Sequence, residues 1–404
     1  MRQFRIAALS SHPIQYAAPL YRQIATEPEI DLTVFYCSKA GLESFRDPGF
    51  GTSLKWDVPL LSGYRSEFLF NLRGRKDPGG FWSLINPGIV KRLLQGRFDA
   101  LWLHGHNYAT IHLGVMAALT TRTLLLMRAE THTGLARSPL KRWLRTPTLS
   151  AFYRLFGGFL AIGTRNQAFY RSLGIPDRKI FSMPYAVDNA RFLEKGAISA
   201  ERREGVRREL GLRNDLPLVL SSGKLIPRKR PADLVRAVAL LNGSGFDVQL
   251  AFIGSGPCLD SLREIAKGDH SDRVHFLGFR NQARLPELYG VADLFVLPSE
   301  NEPWGLAINE AMCAGLPVVT TDEVGAAPDL VREGENGFIY PAGDVAELAD
   351  CIKRVLRRSD ARQAMADRSR EIISQWGYDA CVRGLLEALE HGSTRGGRSR
   401  DRTG

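Results

Sequence analysis

Residues 293–343 read DLFVLPSENEPWGLAINEAMCAGLPVVTTDEVGAAPDLVREGENGFIYPAG. The apolar run ending at Leu297 is a strand, Pro298 breaks it, and a helix is predicted from near Gly305 to about Cys313, stopped by Gly315 and Pro317. A loop that leaves the carboxyl end of a parallel strand and feeds a helix N-terminus is an anion site: unpaired amides and the positive dipole end face the ligand. Here those amides belong to Gly305, Leu306 and Ala307. Glu302 precedes the helix and Glu310 lies eight residues further on, so they serve different parts of one extended ligand rather than one shared proton.

Working outward, LPLVLSSG, DVQLAFIG, RVHFLGF, PVVTT and GFIYPAG join this segment in a series of strands alternating with helical stretches. An earlier series, RIAALS, DLTVFYC, FDALWLH, TLLLMR, GFLAIGT and KIFSMPY, precedes it. That alternation predicts two doubly wound α/β domains. The expected organisation is a first domain over 1–192, a charged linker over 193–216 and a second domain over 217–375. A C-terminal helix over 376–390 crosses back toward the first domain, and 391–404 form a disordered basic tail.

Within the second series, VLSSGKLIPRKRPADLVRA (219–237) opens a strand into a loop carrying Lys224, Arg228, Lys229 and Arg230, then a helix starting near Pro231. Cations at a strand's carboxyl end suit a pyrophosphate leaving group, whose growing charge they stabilise in the transition state. The turn GSGP after DVQLAFI is not a full dinucleotide fingerprint and is read as structural. Arg280 and Asn281 follow HFLGF at another strand end.

The segment with Glu302 and Glu310 resembles the E-x7-E signature of retaining GT-B glycosyltransferases of family 4, and S-H-P-I-Q-Y at 11–16 resembles the opening of one of its subgroups. The resemblance implies a GT-B architecture of two Rossmann-like domains facing a central cleft. It also implies metal-independent hexosyl transfer from a UDP- or GDP-sugar co-substrate, with no cofactor. Glu302 would face the donor sugar, Glu310 the ribose, and Lys224 and Lys229 the phosphates; Lys224 stands where Arg is usual and Arg230 where Gly is usual. Arg280 would lie in the loop that meets the base. LMRAETH places His132 in the family's acceptor-side position, with His12 and Glu130 more loosely in the same site. The catalytic set is then Glu302, His132 and Lys229. His104 and His106, two apart after FDALWL, are read as loop or cleft residues.

Composition narrows the partners. The chain has 404 residues and a net charge of +11, but positions 1–190 hold 24 Lys/Arg against 12 Asp/Glu, and the remainder 30 against 31. The surplus therefore belongs to the half expected to meet the acceptor. It points to a glycan or lipid-linked acceptor and an anionic membrane surface, with RSPLKRWLR (137–145) as a candidate interfacial helix. Nucleic acid is disfavoured for want of a recognition motif. IAAL near the start is too short for a signal-peptide core, so the expected location is cytoplasmic, peripheral on the inner face of the membrane. Five scattered cysteines without a CxxC pair support neither zinc nor disulfides. The alternatives are a GT-B sugar-nucleotide epimerase and a basic nucleic-acid-binding protein without enzymatic activity.

Overall fold

The computed structural model describes residues 2–42, 45–47, 49–74, 79–132, 147–268 and 271–400. The chain divides into two compact units: Met1–Phe45 with Val58–Tyr185 and Tyr378–Gly404, and Arg46–Asp57 with Ala186–Gly377.

The first part of the sequence supplies, in chain order, β1 (Phe4–Ser10), β2 (Ile30–Tyr36), β3 (Phe45–Asp47), β4 (Thr52–Leu54), β5 (Arg65–Phe68), β6 (Ala100–His104), β7 (Leu124–Arg128), β8 (Gly158–Ala161) and β9 (Ile180–Ser182). β3 and β4 pair in a small ribbon of their own. The others form the sheet of the first unit in the order β5-β2-β1-β6-β7-β8-β9, and its recorded pairings are parallel. Helices cover both faces, so Ile6, Ala7, Ala8, Leu101, Trp102 and Leu103 are all buried and these strands read as continuous apolar runs rather than alternating ones. The winding reverses between β1 and β6, which puts the topological switch, where such folds bind ligands, beside Ser10 and His104.

The second unit carries β10 (Leu218–Ser222), β11 (Gln249–Ile253), β12 (Val274–Phe276), β13 (Leu294–Leu297), β14 (Val318–Thr321) and β15 (Gly337–Tyr340). They are parallel in the order β12-β11-β10-β13-β14-β15. Its switch point falls between β10 and β13, paired in register Val219 to Leu294. Two loops far apart in sequence thus leave neighbouring strands on the same edge.

The boundary differs from the sequence expectation because residues 186–216 pack as part of the second unit. They contain two helices, Asn189–Gly196 and Ala200–Glu209. Arg207, which reads as one more surface cation, is 4% exposed. Its Nη2 donates to Asp293 at 2.7 Å and to the Val291 carbonyl at 2.8 Å, and its Nη1 to the Leu216 carbonyl at 3.1 Å. Burying a guanidinium is tolerable only with such pairing. At the other end the helix that begins at Tyr378 belongs to the first unit and runs to Arg400, through residues 391–400 that composition assigned to a disordered tail. A helix already nucleated extends at one hydrogen bond per residue, which composition alone does not weigh.

Candidate functional site

The loop after β10 is clamped by the loop after β11. Gly223 N donates to the Ile253 carbonyl, Leu225 N to that of Ser255 and Cys258 N to that of Leu225, at 2.9, 2.9 and 3.0 Å. A Cβ on Gly254 would overlap the Gly223 carbonyl oxygen, so the GSGP turn serves close backbone approach. The chain then makes a tight turn over Pro227–Lys229, passes through left-handed Arg230 (φ 45°) and enters the helix Pro231–Gly243. Lys224 and Lys229 line one shallow, solvent-open recess, together with Ser221, Ser222 and Leu297.

The loop after β13 is pinned from two sides. Glu300 N donates to the Arg228 carbonyl at 2.9 Å, and Asn301, at φ 49°, donates its N–H to Glu323 Oε2 at 2.9 Å. Glu302 bridges Val324, and Gly325 N donates to the Glu302 carbonyl at 2.9 Å. Gly305 turns the chain at φ 102°, where a Cβ would press on Leu297 and Val324, and starts the helix Leu306–Cys313 with no side-chain cap. Trp304, buried, fixes this corner by donating Nε1–H to Asn309 Oδ1 at 2.9 Å.

The two loops meet through their charges. Lys229 Nζ donates to Glu302 Oε2 at 2.6 Å and Arg228 Nη1 to the same oxygen at 3.3 Å. Arg230 joins Glu300 at 2.8 Å and Asp233 at 2.6 Å. Glu302 is 8% exposed, so its carboxylate is held largely away from water and needs these cations. Glu310 is separate. It lies inside the helix Leu306–Cys313, accepts from Tyr289 Oη at 2.7 Å, and is pushed up by burial to about 7. Gly305 and Leu306 occupy the expected helix start, and Arg280 is exposed on the loop after β12.

The remaining expected residues belong to the first unit. His12 follows β1, with its Nδ1 2.9 Å from Ser11 Oγ. Glu130 and His132 follow β7; Glu130 is exposed and accepts from Tyr185 Oη, whereas His132 is 3% exposed. Asn166 holds this exit by donating to the Ala129 and Thr131 carbonyls at 3.0 and 2.6 Å. His104 contacts Tyr21 Oη at 2.8 Å and is pushed down to about 3, chiefly by burial and then by the Arg128 cation, so it stays neutral. The RSPLKRWLR segment lies outside the described residues. Sequence reading missed the partners that set these groups: Tyr289 for Glu310, Glu323 for the Asn301 turn, Tyr185 for Glu130. Each is distant in sequence and marked by no motif.

Residues 202–372 match the family Glycosyl transferases group 1. That segment is a group 1 glycosyl transferase domain. The GDP-mannose-dependent α-(1-6)-phosphatidylinositol monomannoside mannosyltransferase of Mycobacterium tuberculosis is 29% identical over 262 residues, 61% of this chain and 66% of that protein. The lipopolysaccharide core biosynthesis glycosyltransferase LpsE of Rhizobium meliloti is 34% identical over 185 residues, 45% of this chain and 52% of that one. The alignments thus span between about half and just under two thirds of these curated relatives. In overall fold, Anabaena HepE, solved in complex with UDP, superposes with a TM-score of 0.74 at 19% identity, covering 96% of this chain and 99% of that one. WaaG, involved in lipopolysaccharide biosynthesis, gives 0.66 at 17% identity over 95% and 99%. The group 1 glycosyl transferase domain therefore sits within a chain of GT-B-like fold, with two parallel Rossmann-like sheets. Its match to the family covers both loops of the second switch point, from Lys224 to Glu310.

Proposed function

We propose that this chain is a retaining glycosyltransferase of the SHPIQY-type subgroup of family 4. It moves a hexosyl group from a UDP- or GDP-sugar to a glycan or lipid-linked acceptor in cell-surface polysaccharide or glycoconjugate synthesis. The observation that carries the reading is the convergence of Lys229 and Arg228 on Glu302 at the switch point of a group 1 glycosyl transferase domain. In this reading the donor pyrophosphate displaces Glu302 as the counterion of the loop cations. Lys224 and Lys229 then stabilise charge that grows on the leaving phosphate, a preorganised electrostatic contribution to the transition state. Glu302, released from the cations, orients sugar hydroxyls, and Glu310 receives the ribose hydroxyls.

The first unit supplies the acceptor side through His12, Glu130 and His132. Retention follows from the departing phosphate receiving the acceptor proton on the face it leaves, so no protein nucleophile is needed. Among the described residues, no group of three or more His, Cys, Asp or Glu is placed to hold a metal ion. Exposed Phe70, Leu72 and Trp82, with the positive surplus of positions 1–190, support contact with an anionic lipid surface. No described helix is long and apolar enough to cross a membrane.

The test is nucleotide release from UDP- and GDP-sugars with and without membrane lipid or glycan extract. Acceptor-dependent release with sugar incorporated into the extract supports transfer. Conversion of the free nucleotide sugar with no acceptor present indicates an epimerase instead.

A further inference from the structure

Four segments of the first unit bring polar groups to the carboxyl edge of its sheet, beside the switch point. Tyr16 stands on the loop after β1, His104 and Arg128 are register partners at the ends of β6 and β7, and Met183, Pro184 and Tyr185 follow β9. Arg128 is the buried cation of this cluster, 7% exposed. Its Nη2 donates to the Met183 and Pro184 carbonyls at 3.3 and 3.0 Å, and its guanidinium carbon lies 4.9 Å from the centroid of the Tyr185 ring. Its Nε is buried with no hydrogen-bond partner, and among the described residues no carboxylate lies within ion-pair distance of it. Glu130, two residues on, is exposed and accepts from Tyr185 Oη instead. The Tyr185 ring meets that of Tyr16 edge-on at 6.1 Å, and both residues are only partly buried.

We propose that Arg128 is an anion-binding residue of the first unit and that the acceptor presents an acid group to it, a sugar phosphate or a sugar carboxylate; the inference rests on the acceptor-side reading above. A guanidinium taken out of water without a counterion is costly, and two carbonyls and a ring face offset only part of that cost. Arg207, buried as deeply, has Asp293 at 2.7 Å; Arg128 has no such partner among the described residues. The unpaired charge sits where doubly wound sheets take their ligands. An oxyanion from outside supplies the missing counterion, through charge-assisted bonds from the N–H groups that the two carbonyls leave over, and the planar fork suits phosphate and carboxylate alike. His104, pushed down to about 3, stays neutral and adds no second charge. The Tyr16 and Tyr185 rings beside the cation offer apolar surface to the sugar that carries the acid.

The experiment is calorimetric titration of glucose 6-phosphate, glucuronate and methyl glucoside into the full chain, and into Arg128→Gln and Arg128→Lys, with thermal unfolding to verify the fold. Saturating UDP is present throughout, so that the donor-side cations are occupied. Gln keeps an N–H for the two carbonyls and removes the charge; Lys keeps the charge and removes the fork. At least one of the two acids is expected to bind more tightly than methyl glucoside, with a loss of about 10- to 100-fold in Arg128→Gln and a smaller loss in Arg128→Lys. Preference for glucose 6-phosphate supports a phosphorylated acceptor, and preference for glucuronate an acidic glycan. Binding of the acids no tighter than that of methyl glucoside, or unchanged acid affinity in Arg128→Gln, overturns the proposal. Acid binding that depends on Arg128 in a chain that takes up no UDP upholds this site and overturns the donor-side reading instead.

Discussion

Lys229 and Glu302, 73 positions apart in the chain, form an ion pair of 2.6 Å at the edge of the second sheet. They meet because β10 and β13 are neighbours there, and the loops leaving them pack face to face. In the proposed reading this pair is an exchangeable site: a polyphosphate takes the cation, and the acid is then free for sugar hydroxyls.

Glu302→Ala and Lys229→Ala are each expected to lower turnover by at least two orders of magnitude, in the range seen when a preorganised transition-state charge is removed. Glu302→Ala also leaves two cations without their carboxylate, so a loss of about 1–3 kcal/mol in unfolding free energy accompanies it. Initial rates with acceptor extract and denaturant unfolding separate the two effects. Near-normal rates in both variants contradict the donor-site assignment.

Glu310 gives the second unit a pH-dependent stability. Its carboxyl is raised in the folded state from near 4.5 to about 7, chiefly by burial, so between those values the folded chain holds a proton that the unfolded chain has lost. Its contribution to stability is therefore fully present below about pH 4.5 and lost as pH rises through 7. Unfolding midpoints measured across and just above that window should show a decline that Glu310→Gln flattens. Bound nucleotide reverses the trend if the ribose hydroxyls donate to the ionised carboxylate.

His132 separates transfer from donor binding. His132→Ala is expected to reduce transfer at least 10-fold while the affinity for UDP or GDP stays within about twofold, because the residue lies in the first unit, after β7. Calorimetry alongside rate measurement distinguishes this from an equal loss of both, which would place His132 elsewhere in function.

Arg207 tests stability without chemistry. Its replacement by Ala strands buried Asp293 with fewer partners and is expected to cost about 3–5 kcal/mol, the range for breaking a buried pair from one side. Urea unfolding measures it, and nucleotide affinity at low temperature should survive in whatever fraction remains folded.

The two sheets were legible because buried parallel strands are continuous apolar runs with turn signals at both ends; all six strands of the second unit and six of the seven in the first can be read this way. RSEF, at β5, escaped because Arg65, Ser66 and Glu67 leave it no apolar run. The loop and helix start that carry the proposed donor site were equally legible, since Pro298, Gly305 and the Glu302–Glu310 spacing are local features. What was not legible is pairing across the sheet. Nothing near Lys229 names Glu302 as its partner, nothing near Glu310 names Tyr289, and the polar stretch around Arg207 reads as solvent-facing until Asp293 is beside it. The turn carrying Phe50, between β3 and β4, is the extreme case, because a turn early in the sequence meets Lys224 and Phe279, in loops of the other half.

The most direct test of the central claim is a thermal-shift panel of UDP-, GDP- and ADP-sugars on the unsubstituted chain and on Glu302→Ala. The account predicts that at least one UDP- or GDP-sugar raises the unfolding midpoint of the unsubstituted chain, by more than the nucleotide diphosphate alone. It further predicts that Glu302→Ala erases the increment due to the sugar. No shift with any nucleotide sugar would contradict it.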